Sequence, residues 1–204
     1  MLYIIVSIFL LLFCFFLLYK RLQISYSLSP SVIVTNKELN LISKWINPYS
    51  VFNFTLIYRA SENGDSSKIF QKSIYNRGKI LLFISTKDDW KFGGYTDTKS
   101  QVIPNQLGWL SQPCKESFIF SINKKRKYPL SEVDDGGVMY KNSLGLSFGK
   151  GDFVIVDKFL TNKCSCNFPF SFGDKQLSRN EFNGGKWDFN IKEVEVFLVE
   201  KQMN

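Results

Sequence analysis

The chain has no histidine among its 204 residues. That absence removes the usual general base from serine and cysteine nucleophile schemes, along with the commonest metal-ligating side chain. Cysteine is scarce too, with four residues at 14, 114, 164 and 166. A structural zinc site needs four ligands at suitable spacing, and Cys164-Ser165-Cys166 has no second pair to complete one. The two cysteines of that triplet are also too close for an ordinary bridge to each other. Free thiols fit a reducing compartment. Cys164 and Cys166, next to Lys163, are the candidate redox residues if exposed, with a pair of inert loop thiols as the other reading.

Charge is missing from one stretch altogether. Leu2 through Tyr19 carries none, and Lys20 and Arg21 follow directly. That run of about 18 residues would rise roughly 27 Å as a helix, close to the thickness of a bilayer's hydrocarbon core. A secretory signal would place positive charge ahead of a shorter apolar core and a small-residue cleavage site after it. Here the charges come after, and "QISYSLSP" contains no Ala-x-Ala site. An uncleaved membrane anchor is the expected reading, with a signal peptide and a buried helix as its rivals. Lys20 and Arg21 would then hold the C-terminal part in the cytosol. The expected organisation is a transmembrane anchor at 1–22, a linker at 23–34 and one domain at 35–204.

Formal charge is +8, yet the basic residues are scattered, apart from "NKKRKYP" at 123–129. That cluster reads as a solvated hairpin tip, which in an anchored protein could also lie against anionic lipid. No helix carries a basic stripe, so nucleic acid is not an expected partner. Asn53-Phe54-Thr55 matches a glycosylation sequon that would matter only in a lumenal domain.

What the chain does have is phenylalanine, 20 in all, much of it in short alternating runs. "TNKELNLISKWINP" reads as a helix: Thr35 and Glu38 have capping-box spacing, Leu39, Ile42, Trp45 and Ile46 recur at helical period, and Pro48 stops it. "VFNFTLIYRA" alternates Phe52, Phe54, Leu56 and Tyr58 as a half-buried strand. Asn63-Gly64 turns the chain into a second helix with Asp65 as N-cap, Ile69, Phe70 and Ile74 on its apolar face, and Gly78 as its stop. "KILLFIST" is apolar enough to be covered on both faces, and "KFGGYTDT" is its hairpin partner. "SFIFSI", "GVMYK", "DFVIVD" and "KEVEVFLVE" complete a strand-dominated sequence. Two early helices and many later strands point to α+β, with two packed antiparallel sheets flanked by short helices.

Glycine recurs beside aromatics in "KFGGYTDT", "LSFGKGDF" and "FSFGDK". A phosphate loop would need a helix N-terminus behind its amides, and strands follow the first two instead. Phe92, Gly93, Gly94 and Tyr95, then Phe148, Gly149, Gly151 and Asp152, and finally Gly173 are therefore read as structural. The glycines would let backbone layers approach while the aromatics fill the space between them. Arg59 leaves a core-facing strand and is expected to pair with Glu193 or Glu195. The adjacent acids Asp88-Asp89 and Asp134-Asp135 read as solvated turns rather than a metal or acid–base pair.

"LIYRASENG", "FGGYTD", "SFIFSI", "LSFGKGDFVI", "FSFG" and "FNGGKWDFNIKEVEVF" occur in an order that resembles the TLDc domain of the oxidation-resistance proteins. The resemblance covers residues 31–200 and implies a β-sandwich with flanking helices and a non-catalytic role. It further implies oxidative-stress protection and binding to the vacuolar proton ATPase. The chain departs from the pattern in having Trp109 as the only tryptophan shortly after the FGGYT segment, and Leu146-Ser147 where a proline is usual. No cofactor is expected. The expected function is a membrane-anchored, non-catalytic interaction module, with an accessory subunit of a membrane assembly as the alternative.

Overall fold

Thr35 opens the first helix of the domain in the expected way. In the computed structural model, Glu38 N donates to Thr35 Oγ1 at 3.3 Å, and Thr35 N donates back to the Glu38 carboxylate at 2.8 Å. The structure describes residues 2–23, 31–99, 110–112, 114–131, 137–141 and 145–202. Trp109 and the Asp134-Asp135 pair lie outside the described residues.

The helices are α1 (Leu2–Gln23), α2 (Asn36–Ile46), α3 (Ala60–Asn63) and α4 (Ser67–Ile74). The early strands are β1 (Phe52–Arg59), β2 (Ile80–Thr86), β3 (Lys91–Thr96), β4 (Leu110–Gln112), β5 (Phe118–Ser121) and β6 (Arg126–Pro129). The later ones are β7 (Val138–Lys141), β8 (Gly145–Phe148), β9 (Phe153–Ile155), β10 (Cys164–Cys166), β11 (Asp188–Phe189) and β12 (Ile191–Lys201). They form two antiparallel six-stranded sheets, ordered β1-β12-β2-β3-β5-β6 and β11-β10-β9-β8-β7-β4. The α+β sandwich expected from the strand pattern is the one observed.

Two cores hold it together. Between the sheets, Leu82, Ile84 and Phe92 meet Phe148, Phe153 and Ile155. The Phe92 ring contacts Phe153, Phe182 and Phe189 edge-on, at centroid distances of 5.7, 5.0 and 5.1 Å. Such contacts add to the area that the rings remove from water. On the outer face of the first sheet, Leu81, Phe83, Tyr95, Phe120 and Phe197 pack under Leu39 and Ile42 of α2. β2 lies between the two layers, which is why its sequence is apolar at every turn of the pleat.

Four local expectations change. Between Leu56 and Tyr58 the β1–β12 register shifts by a bulge. One extra residue reverses the faces, so Phe52 and Phe54 join the outer core while Tyr58 enters the inner one. On α4 the buried residues are Ser67, Phe70, Gln71 and Ile74, and Ile69 is 44% exposed. That helix ends at Ile74, ahead of Gly78. Ile33 and Val34, placed in a linker by the sequence, are buried parts of the outer core.

The backbone of α1 is helical for 22 residues. Its side chains at 7–17 are all exposed, the large apolar ones from Leu17 at 49% to Phe9 at 74%. Among the described residues, no helix is long and apolar enough to cross a membrane.

Candidate functional site

The residues singled out in the sequence fall in separate parts of the fold. Arg59 sits at the end of β1, opposite Glu195 on β12. Its Nε donates to Glu195 Oε1 at 2.8 Å, and a terminal nitrogen is equally close. Glu195 is fully buried and also accepts the Val32 backbone N–H at 3.0 Å and the Ser31 hydroxyl. Of the two acids expected for Arg59, Glu195 is the partner. Glu193 instead accepts the Ser61 N–H of α3 at 3.1 Å. Alternation along β12 places both glutamates on the outer face. There they tie the entering segment 31–34 and the β1–α3 corner to the sheet. Glu62 holds the other edge of the Arg59 guanidinium. This arrangement braces structure, since both oxygens of the buried Glu195 are already committed to donors within the fold.

A second group gathers at the β8–β9 turn. Asp152 is fully buried and accepts the Phe170 N–H at 2.8 Å, the Ser171 N–H at 2.8 Å and the Phe172 N–H at 3.3 Å. Ser171 Oγ in turn accepts the Lys150 N–H at 2.9 Å. The "FSFG" segment is thus clamped to "GKGD", which explains why the two motifs belong together. Burial raises the Asp152 carboxyl above its ordinary range, against the opposing pull of the three amides.

The glycines divide by role. A Cβ on Gly94 would fall 2.3 Å from the Phe148 ring of the opposite sheet, so this residue allows the two layers to nest as expected. Gly93 faces the outer core, where a Cβ would meet the Leu82 carbonyl oxygen at 1.9 Å and Phe120 at 2.8 Å. Gly149 at φ +62° and Gly151 at φ +113° serve the turn instead. Around Gly151 there is open space, so its layer-spacing role is corrected to a conformational one. Gly173 lies against Phe168 and Leu177 within its own loop.

Cys164 and Cys166 form part of β10 and both point inward, with Ser165 exposed between them. The exposure that a redox role required is absent. Burial pushes the Cys164 thiol up to about 11 and the Cys166 thiol up to about 12, which suppresses the reactive thiolate. Lys163 does not offset this, because desolvation dominates. Asp88 and Asp89 are turn acids facing Lys186 and Lys192. Among the described residues, no three metal-ligating side chains cluster.

Sequence reasoning missed three features. Asn180, fully buried in a left-handed conformation, accepts the Phe168 N–H at 2.9 Å and the Cys166 thiol at 3.1 Å. Its asparagine–glycine surroundings, "RNEFNGG", were the available signal. Asp157 binds the Ser67 N–H of α4 at 2.7 Å, whereas Asp65 turns to Leu160 N at 3.3 Å. The acid capping α4 therefore comes from across the fold, which no local pattern can show.

The third feature is a groove of about 660 Å³ between α2 and the β5–β6 turn, lined in part by Lys37, Asn40, Leu41, Lys44, Trp45 and Lys125. Lys37 and Lys44, scattered in the sequence, converge here with Lys125 of the basic 123–129 cluster. The groove is the leading candidate for a binding surface, with a basic rim and a half-buried Trp45 and Leu41 at its floor.

A comparison with curated proteins gives no match. The family model of the TLDc domain matches residues 27–200. That stretch holds both sheets, the Asp152 clamp and the Arg59–Glu195 brace, and on it the chain belongs to the TLDc domain family.

Proposed function

We propose that this chain is a membrane-anchored TLDc module that acts by binding another protein and is not itself an enzyme. The observation that carries the reading is α1, whose side chains at 7–17 are apolar or small and exposed all round. A helix apolar on every side needs an apolar medium on every side. The uncharged run Leu2–Tyr19 would supply about 27 Å of helix, close to the thickness of a hydrocarbon core, although no helix among the described residues is by itself long and apolar enough to cross one. Lys20 and Arg21 at its C-terminal end favour a cytosolic domain. Anchoring confines the domain near the membrane, so a weak interface gains from raised local concentration.

The non-catalytic side of the proposal draws support from how the acids are used. Asp152 and Glu195 spend both oxygens on amides, Ser31 and Arg59, and the chain has no histidine to act as base. Family membership favours a partner of the vacuolar proton ATPase type and a link to oxidative stress. The experiment compares the full chain with one starting at Gln23. The full chain resists carbonate extraction and retains a partner identified by mass spectrometry, and the shorter chain loses the membrane fraction. Complete extraction of the full chain by carbonate would overturn the anchor. Capture of no protein by either form would overturn the binding role.

A further inference from the structure

We propose that the surface formed by α2 and the β5–β6 turn docks the domain onto anionic lipid headgroups of the membrane that holds α1. The inference rests on the anchored reading above and adds the face by which the domain meets its own bilayer.

Four lysines make the surface. Lys37 and Lys44 stand two turns apart on the exposed side of α2, opposite the buried Leu39 and Ile42. Lys124 and Lys125 project from the adjoining turn. All four are exposed, and none of their ammonium groups has an ion pair or hydrogen bond to the described residues. Among the described residues Glu38 is the acid that lines the groove, and it is taken by the Thr35 cap and by Lys91 at 4.0 Å. Among the described residues the surface is therefore predominantly positive. Each lysine near an anionic leaflet strengthens attachment about fivefold, the equivalent of roughly 1 kcal/mol.

Apolar groups flank the lysines along the same stretch of chain. Leu41 lies between Lys37 and Lys44, Tyr49 just beyond α2 is 96% exposed, and Val32 just before it is 66% exposed. Tyrosine is suited to the headgroup level, where one end of the ring is wet and the other apolar. A basic surface with Leu41 among its lysines, and exposed Tyr49 and Val32 in the segments either side of α2, matches an anionic membrane surface better than an acidic protein segment, which would offer these groups nothing apolar.

The tether sets the reach. From Gln23 to Ser31 is roughly eight residues, which can span at most about 29 Å. Ser31 and Val32 are fixed to Glu195, and α2 begins at Asn36, after Ile33, Val34 and the cap Thr35. The element next to the tether is thus the one that carries Lys37 and Lys44.

The test uses the full chain in nanodiscs of neutral phosphatidylcholine or of a mixture with phosphatidylserine. Lysine acetylation is followed residue by residue by mass spectrometry. On the anionic discs the rates at Lys37, Lys44, Lys124 and Lys125 fall at least about fivefold. The exposed Lys158 and Lys163 serve as controls and do not change. High salt abolishes the protection, because it shortens the screening length to a few ångströms. Equal rates on the two compositions overturn the proposal. So does protection that arises on neutral discs only when polyglutamate is added, which would assign the surface to an acidic protein.

If carbonate extracts the full chain, the anchor fails and the surface is judged by cosedimentation with phosphatidylserine vesicles. Salt-sensitive retention that weakens at least about tenfold in the K37Q/K44Q/K124Q/K125Q variant supports headgroup binding. Absence of retention overturns it.

Discussion

The ring of Phe148 occupies the space that a side chain on Gly94 would need, 2.3 Å from the position of a Cβ. The two residues belong to opposite sheets, and their contact sets how closely the sheets approach. Gly94→Ala should therefore lower stability by about 1–3 kcal/mol through overpacking. Gly93→Ala should cost at least as much, but for another reason: its nearest obstacle is the Leu82 carbonyl oxygen in the neighbouring strand. A double-mutant cycle with Phe148→Leu separates them. Coupling of about 1 kcal/mol is expected for Gly94 and close to none for Gly93. Equal coupling at both positions would refute the division of the pair between the inner and outer faces.

Arg59 and Glu195 support the corner where β1, α3 and the entering segment 31–34 meet. Arg59→Met leaves a fully buried carboxylate without its cation, and a loss of about 3–5 kcal/mol is expected from denaturant unfolding. Removing the charge as well, in Arg59→Met with Glu195→Gln, should recover part of that loss. Failure of the second substitution to recover any stability would show that the charge is not what the arginine balances.

Cys164 and Cys166 provide a chemical test of packing. With thiols pushed up to about 11 and about 12, the thiolate needed for alkylation is nearly absent at pH 8. Iodoacetamide should label both at least about a hundredfold more slowly in the folded than in the unfolded chain, in step with global unfolding. Fast labelling of native protein would contradict their inward orientation on β10.

How far the fold could be seen in the sequence follows from the range of the forces involved. Local signals held: the Thr35–Glu38 box, the two-sided burial of β2 and the β2–β3 hairpin all depend on neighbours in the chain. Signals that depend on distant partners did not. The bulge that turns Tyr58 inward is set by pairing with β12, and the acid that caps α4 arrives from Asp157. Lys37 and Lys44 were among the scattered basic residues. Only the packing of α2 beside the β5–β6 turn brings them to Lys124 and Lys125, so the groove was invisible beforehand. Whether the two cysteines are exposed, on which a redox role depended, is decided by alternation along β10, which turns both inward, rather than by the nearby lysine.

Asp152 and Asp157 should give stability opposite dependences on pH. The amide of Ser67 holds Asp157 below its ordinary value of 3.8. Its contribution is therefore complete above that value and is lost as pH falls through the depressed one. Asp157→Ala, which removes the cap on α4, should cost about 1 kcal/mol near neutrality, and the gap from wild type should shrink on acidification. Burial raises Asp152, so the folded chain binds its proton more tightly than the unfolded chain does. That contribution is present below 3.8 and is lost as pH rises through the raised value. Asp152→Asn removes acceptor capacity for the amides of 170–172, at a cost of about 1–3 kcal/mol. Its gap from wild type should narrow as pH rises, because only the wild type loses stability in that window. Groups common to the variants, such as Asp88 beside Lys186, cancel in each comparison. Denaturant midpoints across acid and neutral pH measure both gaps, and gaps that move together would show that the two carboxylates are not held by opposing causes.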